Sequence, residues 1–260
     1  MWKLVSASVQ GSSHKQSGQP CQDFAFGRCL RQNDESILVV VCADGAGSSS
    51  HSDVGSQLAC HNMYRLIANA IDDGLTPAEV TRELVLDWHK QVHIDLSFEA
   101  EIKGVSLRDV ACTLLTAIVG TKVAVFSQIG DGAIVVRTDD GYAPVFWPQS
   151  GEYANTTNFI TQECFDLNLD FKKLEVSPDE VSLFTDGIQP LVLDYVGKRA
   201  HEPFFAAMFR DLRSADDVDQ LSVPLLQFLS SQRVNERTDD DKTLVLATRR
   251  TADETPPSAI

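Results

Sequence analysis

Apolar positions along this chain follow two spacings that change over in blocks. Residues 2–9, 21–30 and 36–43 are apolar-rich without helical spacing, and each predicts a strand. From about Asp53 the period lengthens. Val54, Leu58, Met63, Leu66 and Ile67 recur at helical spacing, and Asp73-Gly74 closes the helix they predict. Thr76-Pro77-Ala78-Glu79 combines an N-cap threonine, a proline at the first helical position and a glutamate three residues after the cap. It predicts a second helix running to about Phe98. Strand patterning returns over 110–137, with runs at 111–120, 123–130 and 133–138. Residues 139–170 are polar and weakly patterned, which predicts loops, short strands and a mobile surface segment. Strands at 170–176 and 180–185, helices at 202–213 and 215–232, and a strand at 242–248 complete the pattern before a disordered tail at 251–260.

Strands and helices occur in blocks rather than in regular alternation, and neither an internal repeat nor a flexible linker is visible. The pattern therefore predicts one α+β domain over 1–250, with segregated helices and largely antiparallel strands. A chain of 260 residues can bury a sizeable core at this size. The net charge of -15 argues against a general binder of nucleic acid or of anionic membrane. No apolar run reaches membrane-spanning length, and residues 1–10 lack the charged and apolar regions of a signal peptide, so a cytoplasmic protein is expected. The cysteines Cys21, Cys29, Cys42, Cys60, Cys112 and Cys164 are scattered without a CxxC pair, which excludes zinc-finger and thioredoxin-type sites on spacing and predicts free thiols.

The candidate chemistry lies where strands end. Three apolar runs finish in Asp-Gly, at Asp44-Gly45, Asp131-Gly132 and Asp186-Gly187, and Asp239-Asp240-Asp241 opens the last predicted strand. Each has an ordinary structural explanation. Asp44-Gly45-Ala46-Gly47 reads equally as a glycine-rich turn, Asp131-Gly132 alone favours a hairpin, Asp186 could cap a helix, and three acids in a row are usually a solvated charge run. Asp23 alone favours the outward face of its strand. Asp73-Gly74 and Asp140-Gly141 follow no long apolar run and are read as turns. Carboxylates converging from several strand ends, with little basic compensation, suit hard divalent cations such as Mg²⁺ or Mn²⁺.

The joint pattern is more specific than its parts. Gly11-Ser12-Ser13-His14 is followed by Gly18-Gln19-Pro20-Cys21-Gln22-Asp23, then Ala43-Asp44-Gly45-Ala46-Gly47, Gly130-Asp131-Gly132, Thr185-Asp186-Gly187 and Asp240-Asp241-Lys242-Thr243. In content and order these motifs resemble the metal-dependent type-2C serine/threonine protein phosphatases, most closely the bacterial branch with the GxSH…GxPCQD opening. The resemblance implies a four-layer αββα sandwich, two largely antiparallel sheets flanked by helix pairs. It also implies two divalent cations, Mn²⁺ or Mg²⁺, with a weaker third. By motif position Asp44 would bridge the two ions, Gly45 would offer its carbonyl to one, and Asp186 and Asp240 would hold the first. Asp23 would serve the second directly or through water, and Asp131 with Asp186 would hold the third. Asp44 and Asp186 would thus carry catalysis through metal-bound water, a bridging hydroxide attacking the phosphorus of phosphoserine or phosphothreonine.

Three positions depart from the wider family. Gln22 stands where many members have a metal-binding glutamate, as the bacterial branch shares. Ala46 stands in place of a histidine proposed as general acid, and Gly18 in place of a phosphate-binding arginine. His14 or Lys15 could take over the phosphate, although a histidine in a polar loop is more often only solvated. The expected partners are phosphorylated Ser/Thr proteins and a cognate kinase, met by a monomer. Two other readings compete: an inactive member that binds phosphoproteins, and a different two-metal hydrolase of small phosphate esters. The complete aspartate set favours the first reading, because a pure binder has no need to hold like charges together.

Overall fold

The uninterrupted apolar run Ile37–Ala43 sits in a strand covered on both faces. Ile37, Val39, Val41 and Ala43 face one apolar cluster while Leu38, Val40 and Cys42 face another. That double burial removes the polar-apolar alternation of a half-exposed strand. The computed structural model describes residues 1–149 and 157–251. In chain order the elements are β1 (Lys3–Val9), α1 (Ser12–Ser17), β2 (Phe24–Gln32), β3 (Glu35–Ala43), α2 (Ser52–Asp72), α3 (Arg82–Lys103), β4 (Leu114–Val119), β5 (Ala124–Ile129), β6 (Ala133–Thr138) and β7 (Gly141–Pro144). They continue with β8 (Asp170–Leu174), β9 (Glu180–Phe184), α4 (Gln189–Val192), β10 (Leu193–Asp194), β11 (Arg199–Ala200), α5 (Glu202–Ser214), α6 (Ser222–Leu229), α7 (Gln232–Asn235) and β12 (Lys242–Thr248).

One five-stranded sheet has the order β1-β12-β9-β6-β7 and the other β2-β3-β4-β5-β8, with every neighbouring pair antiparallel. Leu38, Val40, Leu115, Phe126, Ile134, Leu183 and Val245 fill the space between the sheets. The outer face of the second sheet packs on α2 and α3 through Met63, Ile67, Val92 and Leu96. The outer face of the first packs on α5 and α6 through Phe205, Phe209, Leu225 and Leu229. The expected four-layer αββα sandwich is therefore the observed architecture.

The register places all the candidate loops at one end. Phe24 of β2 pairs with Ala43 of β3, and Leu114 of β4 with Ile129 of β5. In the other sheet Ala133 pairs with Phe184, Phe184 with Leu244, and Val9 with Lys242. The chain enters β2, β6 and β12 and leaves β3, β5 and β9 at this end.

Several element bounds differ from the sequence expectation. Thr76 and Glu79 do form a reciprocal capping box, but on the 3₁₀ turn Pro77–Glu79. Val80 is then extended, and Thr81 caps α3 by accepting the Leu84 amide. The helix runs past Phe98 to Lys103, where Gly104 takes the left-handed conformation that releases the chain. The helix expected over 215–232 is broken into the 3₁₀ turn Val218–Leu221, α6 and the one-turn α7. Helix α1 was not expected, being too short for periodicity to register. Asp73 caps α2, and Asp140-Gly141 makes the β6–β7 turn with Gly141 at φ 116, so both behave as turns. Part of the surface segment expected over 139–170 falls on residues 150–156, and the expected disordered tail on 252–260; both lie outside the described residues.

Gly55 shows how tightly α2 is set. A Cβ there would lie 2.1 Å from the Val110 carbonyl oxygen, immediately before the Ala111–Thr113 stretch that pairs with the Asp44 loop. Gly55→Ala is expected to cost about 1–3 kcal/mol through overpacking. At this size that lowers the melting temperature by several degrees, at ~2–4 °C per kcal/mol. An unchanged melting temperature would show that α2 slides freely.

Candidate active site

The loops leaving β3 and β9 and the loop joining β5 to β6 bring Asp44, Asp131 and Asp186 together. One carboxylate oxygen from each lies within 4.8 Å of the others. The Asp44 loop is held from both sides. The Asp44 amide donates to Thr113 Oγ1 at 2.8 Å and its carbonyl accepts the Thr113 amide at 2.8 Å. The Gly45 amide donates to the Gln22 carbonyl at 3.1 Å. A side chain at Gly45 would collide with the carbonyls of Ser52 and Gln22, at 2.7 and 2.8 Å. Among the described residues nothing donates a hydrogen bond to the Gly45 carbonyl.

Asp131-Gly132 does not make a hairpin. β5 and β6 belong to different sheets, so the dipeptide carries the chain across the sandwich. Gly132 is needed there because a Cβ would meet the Phe184 carbonyl at 2.8 Å and the Leu115 side chain at 2.9 Å. The Asp131 carboxylate accepts the Thr157 hydroxyl, and its carbonyl accepts the Gln189 amide. Asp186 opens a 3₁₀ turn rather than capping a helix. Gly187 behind it is closed in by the Asp241 carbonyl, which would stand 1.8 Å from a Cβ.

Asp23 does not face outward. It is 5% exposed at the start of β2, and its Oδ2 accepts the Thr185 hydroxyl at 2.7 Å. Thr185 Oγ1 in turn accepts the Thr243 amide at 3.0 Å, so one threonine joins Asp23, β9 and β12. Asp240 is exposed and lies outside the three-carboxylate group, although its charge reaches both Asp131 and Asp186. Its neighbour Asp241 is buried and accepts the Gly11 amide at 2.6 Å, the Gln22 amide at 2.5 Å and His14 Nδ1 at 2.8 Å. His14 is therefore a buried link, not a solvated loop residue, and its Nε2 lies beside Gly47. Lys15 is exposed on α1, near enough to act on the buried Lys242 ammonium. Gln22 turns its amide to the Ser49 carbonyl at 3.1 Å, which ties it to the loop after Asp44.

The electrostatics are those of crowded, buried acids. Burial, followed by the charges of Asp23, Asp186 and Asp131, holds the Asp44 carboxyl well above the usual range. Burial raises Asp23 strongly against the lowering effect of the Thr185 hydroxyl. Burial and Asp131 push Asp186 up to about 6, and burial raises Asp131 as well. No lysine or arginine pairs with these four among the described residues. Asp23 Oδ1 and Asp186 Oδ1 are buried with no hydrogen-bond donor. Unsatisfied, converging, oxygen-only ligands are what a hard cation requires and what a purely structural acid cluster avoids. The residues present fit such an ion. The cysteines play no part: Cys42, Cys60 and Cys112 are buried with their thiols pushed up, Cys29 and Cys164 are exposed, and all six are free.

Sequence reasoning missed Thr113, Thr157, Thr185, Gln189 and Asp241. Thr185 and Asp241 sit inside the motifs, so their spacing was visible. Nothing in the sequence pairs them with residues more than 150 positions away. Residues 10–230 match the family model of protein phosphatase 2C. The chain is 39% identical over 249 residues to serine/threonine-protein phosphatase 3 of Escherichia coli (strain K12), covering 95% of this chain and 98% of the relative. Its fold is similar to that of the serine/threonine phosphatase Stp1 from Staphylococcus aureus, with a TM-score of 0.61 at 14% identity over 96% of both chains. It is also similar to the catalytic domain of the serine/threonine protein phosphatase PstP, solved with two manganese ions, with a TM-score of 0.63 at 13% identity over 95% of this chain and 97% of that one. Matched over most of its length in sequence and fold, the chain belongs to the protein phosphatase 2C family.

Proposed function

We propose that this chain hydrolyses phosphoserine and phosphothreonine in proteins, using divalent cations held at the end of the sandwich. The observation that carries the proposal is the Asp44–Asp131–Asp186 group, with buried carboxylate oxygens at Asp23 and Asp186 that have no donor. Asp44, the Gly45 carbonyl, Asp186, Asp240 and Asp23 would hold two such cations, and Asp131 with Asp186 would hold a weaker third. When bound, Mn²⁺ or Mg²⁺ supplies an acidified water to attack phosphorus and positive charge for the phosphoryl oxygens. The chain's own contribution is placement. Thr113 fixes the Asp44 backbone, Thr185 orients Asp23, Thr157 orients Asp131, and Asp241 holds α1 and Gln22 against the site. No residue here requires a covalent phosphoenzyme. No helix among the described residues is long and apolar enough to cross a membrane.

Purified protein with added Mn²⁺ should release p-nitrophenol from p-nitrophenyl phosphate and phosphate from phosphothreonine peptides, and chelation should stop both. Turnover that persists after exhaustive chelation would exclude this reading. A folded sample inactive with every divalent ion would favour a phosphoprotein-binding role.

A further inference from the structure

A cavity of about 600 Å³ opens beside the carboxylates. Its lining includes Ala46, Gly47 and Ser48, immediately after Asp44-Gly45, and Thr157, whose hydroxyl is bonded to Asp131. Half-buried Phe159 adds apolar wall. Arg108 is the one basic residue among the described lining. Its backbone is anchored, because the Arg108 carbonyl accepts the Ser49 hydroxyl at 2.8 Å. Its side chain is exposed, and among the described residues its guanidinium makes no ion pair or hydrogen bond. The chain carries 37 acids against 22 lysines and arginines, so its overall field repels acidic peptides. Arg108, in the cavity lining, carries an uncommitted guanidinium that is a local exception, and its planar fork suits a carboxylate or phosphate.

We infer that this cavity receives the peptide segment flanking the phosphorylated residue, and that Arg108 selects segments bearing an acidic group. The inference rests on the phosphatase reading above and adds the substrate class. A phosphorylated residue at the Asp44–Asp186 end leaves its neighbours to run along the Ala46–Ser48 wall toward Arg108. The anion that Arg108 meets is a flanking carboxylate or a second phosphate, distinct from the reacting phosphoryl. The apolar and hydroxyl-bearing wall accepts many side chains, so the charge at Arg108 is the discriminating element.

The test compares three fluorescent phosphothreonine peptides, flanked on both sides by glutamate, by alanine, or by phosphoserine. Each is measured by anisotropy without turnover and by kcat/KM with Mn²⁺. Wild type should prefer the glutamate-flanked peptide to the alanine-flanked one by roughly two- to fivefold, as expected for an ion pair at an exposed guanidinium. Arg108→Ala should reduce that ratio to near one, mainly through KM, and Arg108→Glu should invert it. The phosphoserine-flanked peptide separates the two anion sources: a larger Arg108-dependent ratio than for glutamate identifies a second phosphate as the preferred group. A ratio that Arg108→Ala leaves unchanged, because all peptides weaken equally or none does, would overturn the inference. If wild type binds with the stated preference but fails to turn any peptide over, the role of Arg108 in choosing acidic phosphopeptides stands as a binding preference and the phosphatase reading falls.

Discussion

Asp186→Asn yields a protein that no longer hydrolyses phosphothreonine peptides with Mn²⁺, yet melts a few degrees higher than wild type when both are metal-free. The two effects share one cause. Burial and the Asp131 charge raise Asp186 to about 6, so the fold resists the ionised form that cation binding needs. The folded pKa lies above the unfolded value of 3.8, so the folded state binds the extra proton. This group therefore favours the fold least above pH 6, and stability returns as pH falls from about 6 toward 4. Asparagine removes the charge, releasing on the order of 1–2 kcal/mol at neutral pH once screening at a half-buried group is allowed for. That corresponds to a rise of roughly 2–8 °C in the melting temperature. The difference should narrow as pH is lowered through 6. Saturating Mn²⁺ should reverse the order, because a ligand that binds only the folded protein stabilises it in proportion to its affinity. Thermal melts of both proteins, with chelator and with Mn²⁺, from pH 5 to 8 decide the matter. A metal-free variant less stable than wild type would show that Asp186 is held by local bonds rather than strained by its neighbours.

The layers of this fold were legible because both spacings were strong. Met63 and Ile67 recur at a helical interval where α2 covers a sheet, α3 was announced by the start signal at Thr76–Glu79, and the doubly buried strands read as continuous apolar runs. Helix ends were less legible. The capping box at Thr76 is real, but a 3₁₀ turn uses the same chemistry, and the extended Val80 before α3 follows from packing. At the site, Asp44 and Asp186 were found because an apolar strand ends on each. Asp131 was ambiguous because Asp-Gly also makes hairpins, and only the sheet assignment of β5 and β6 distinguishes the two. Asp23 read alone favoured the outward face, and only the family resemblance drew it to the site, since the Thr185 hydroxyl that holds its carboxylate lies 162 positions away. Asp241 was hidden in a run of three acids. The strand that follows implied that at least one of the three is held at its mouth, but spacing did not say which, whereas Asp240 is exposed and Asp241 is 2% exposed with three donors. Arg108 carried no sequence signal, because its position beside the cavity comes from the pairing of the Asp44 loop with Ala111–Thr113.

Asp241→Ala is expected to be the most damaging substitution near the site, although Asp241 lies outside the three-carboxylate group. Its carboxylate terminates the Gly11 and Gln22 amides and His14 Nδ1, all buried. Gly11 packs directly on the Asp239–Asp240 backbone, where a Cβ would sit 2.3 Å from the Asp240 carbonyl carbon. Removing the carboxylate strands three donors in low dielectric, at about 1–3 kcal/mol each when no water reaches them. Relaxation recovers part of this, leaving a net loss of roughly 3–5 kcal/mol, at the upper end of single-site effects. The damage should be local before it is global. Helix α1 keeps its Ser13 bonds to the Asp239 carbonyl, but the Gly18–Asp23 stretch loses the carboxylate that ties it to the start of β12, and Asp23 and Gln22 shift with it. Amide exchange at Gly11 and Gln22 should therefore accelerate under conditions where the β3–β4 core remains protected, and Mn²⁺ affinity should fall in the fraction that stays folded. Asp241→Asn keeps one acceptor oxygen and should fall between wild type and alanine on both measures. If Asp241→Ala retained wild-type exchange at Gly11 and Gln22, the carboxylate would be incidental to α1. If instead affinity fell without any change in exchange, Asp241 would act on the cations directly and the division of roles between Asp240 and Asp241 would need to be redrawn.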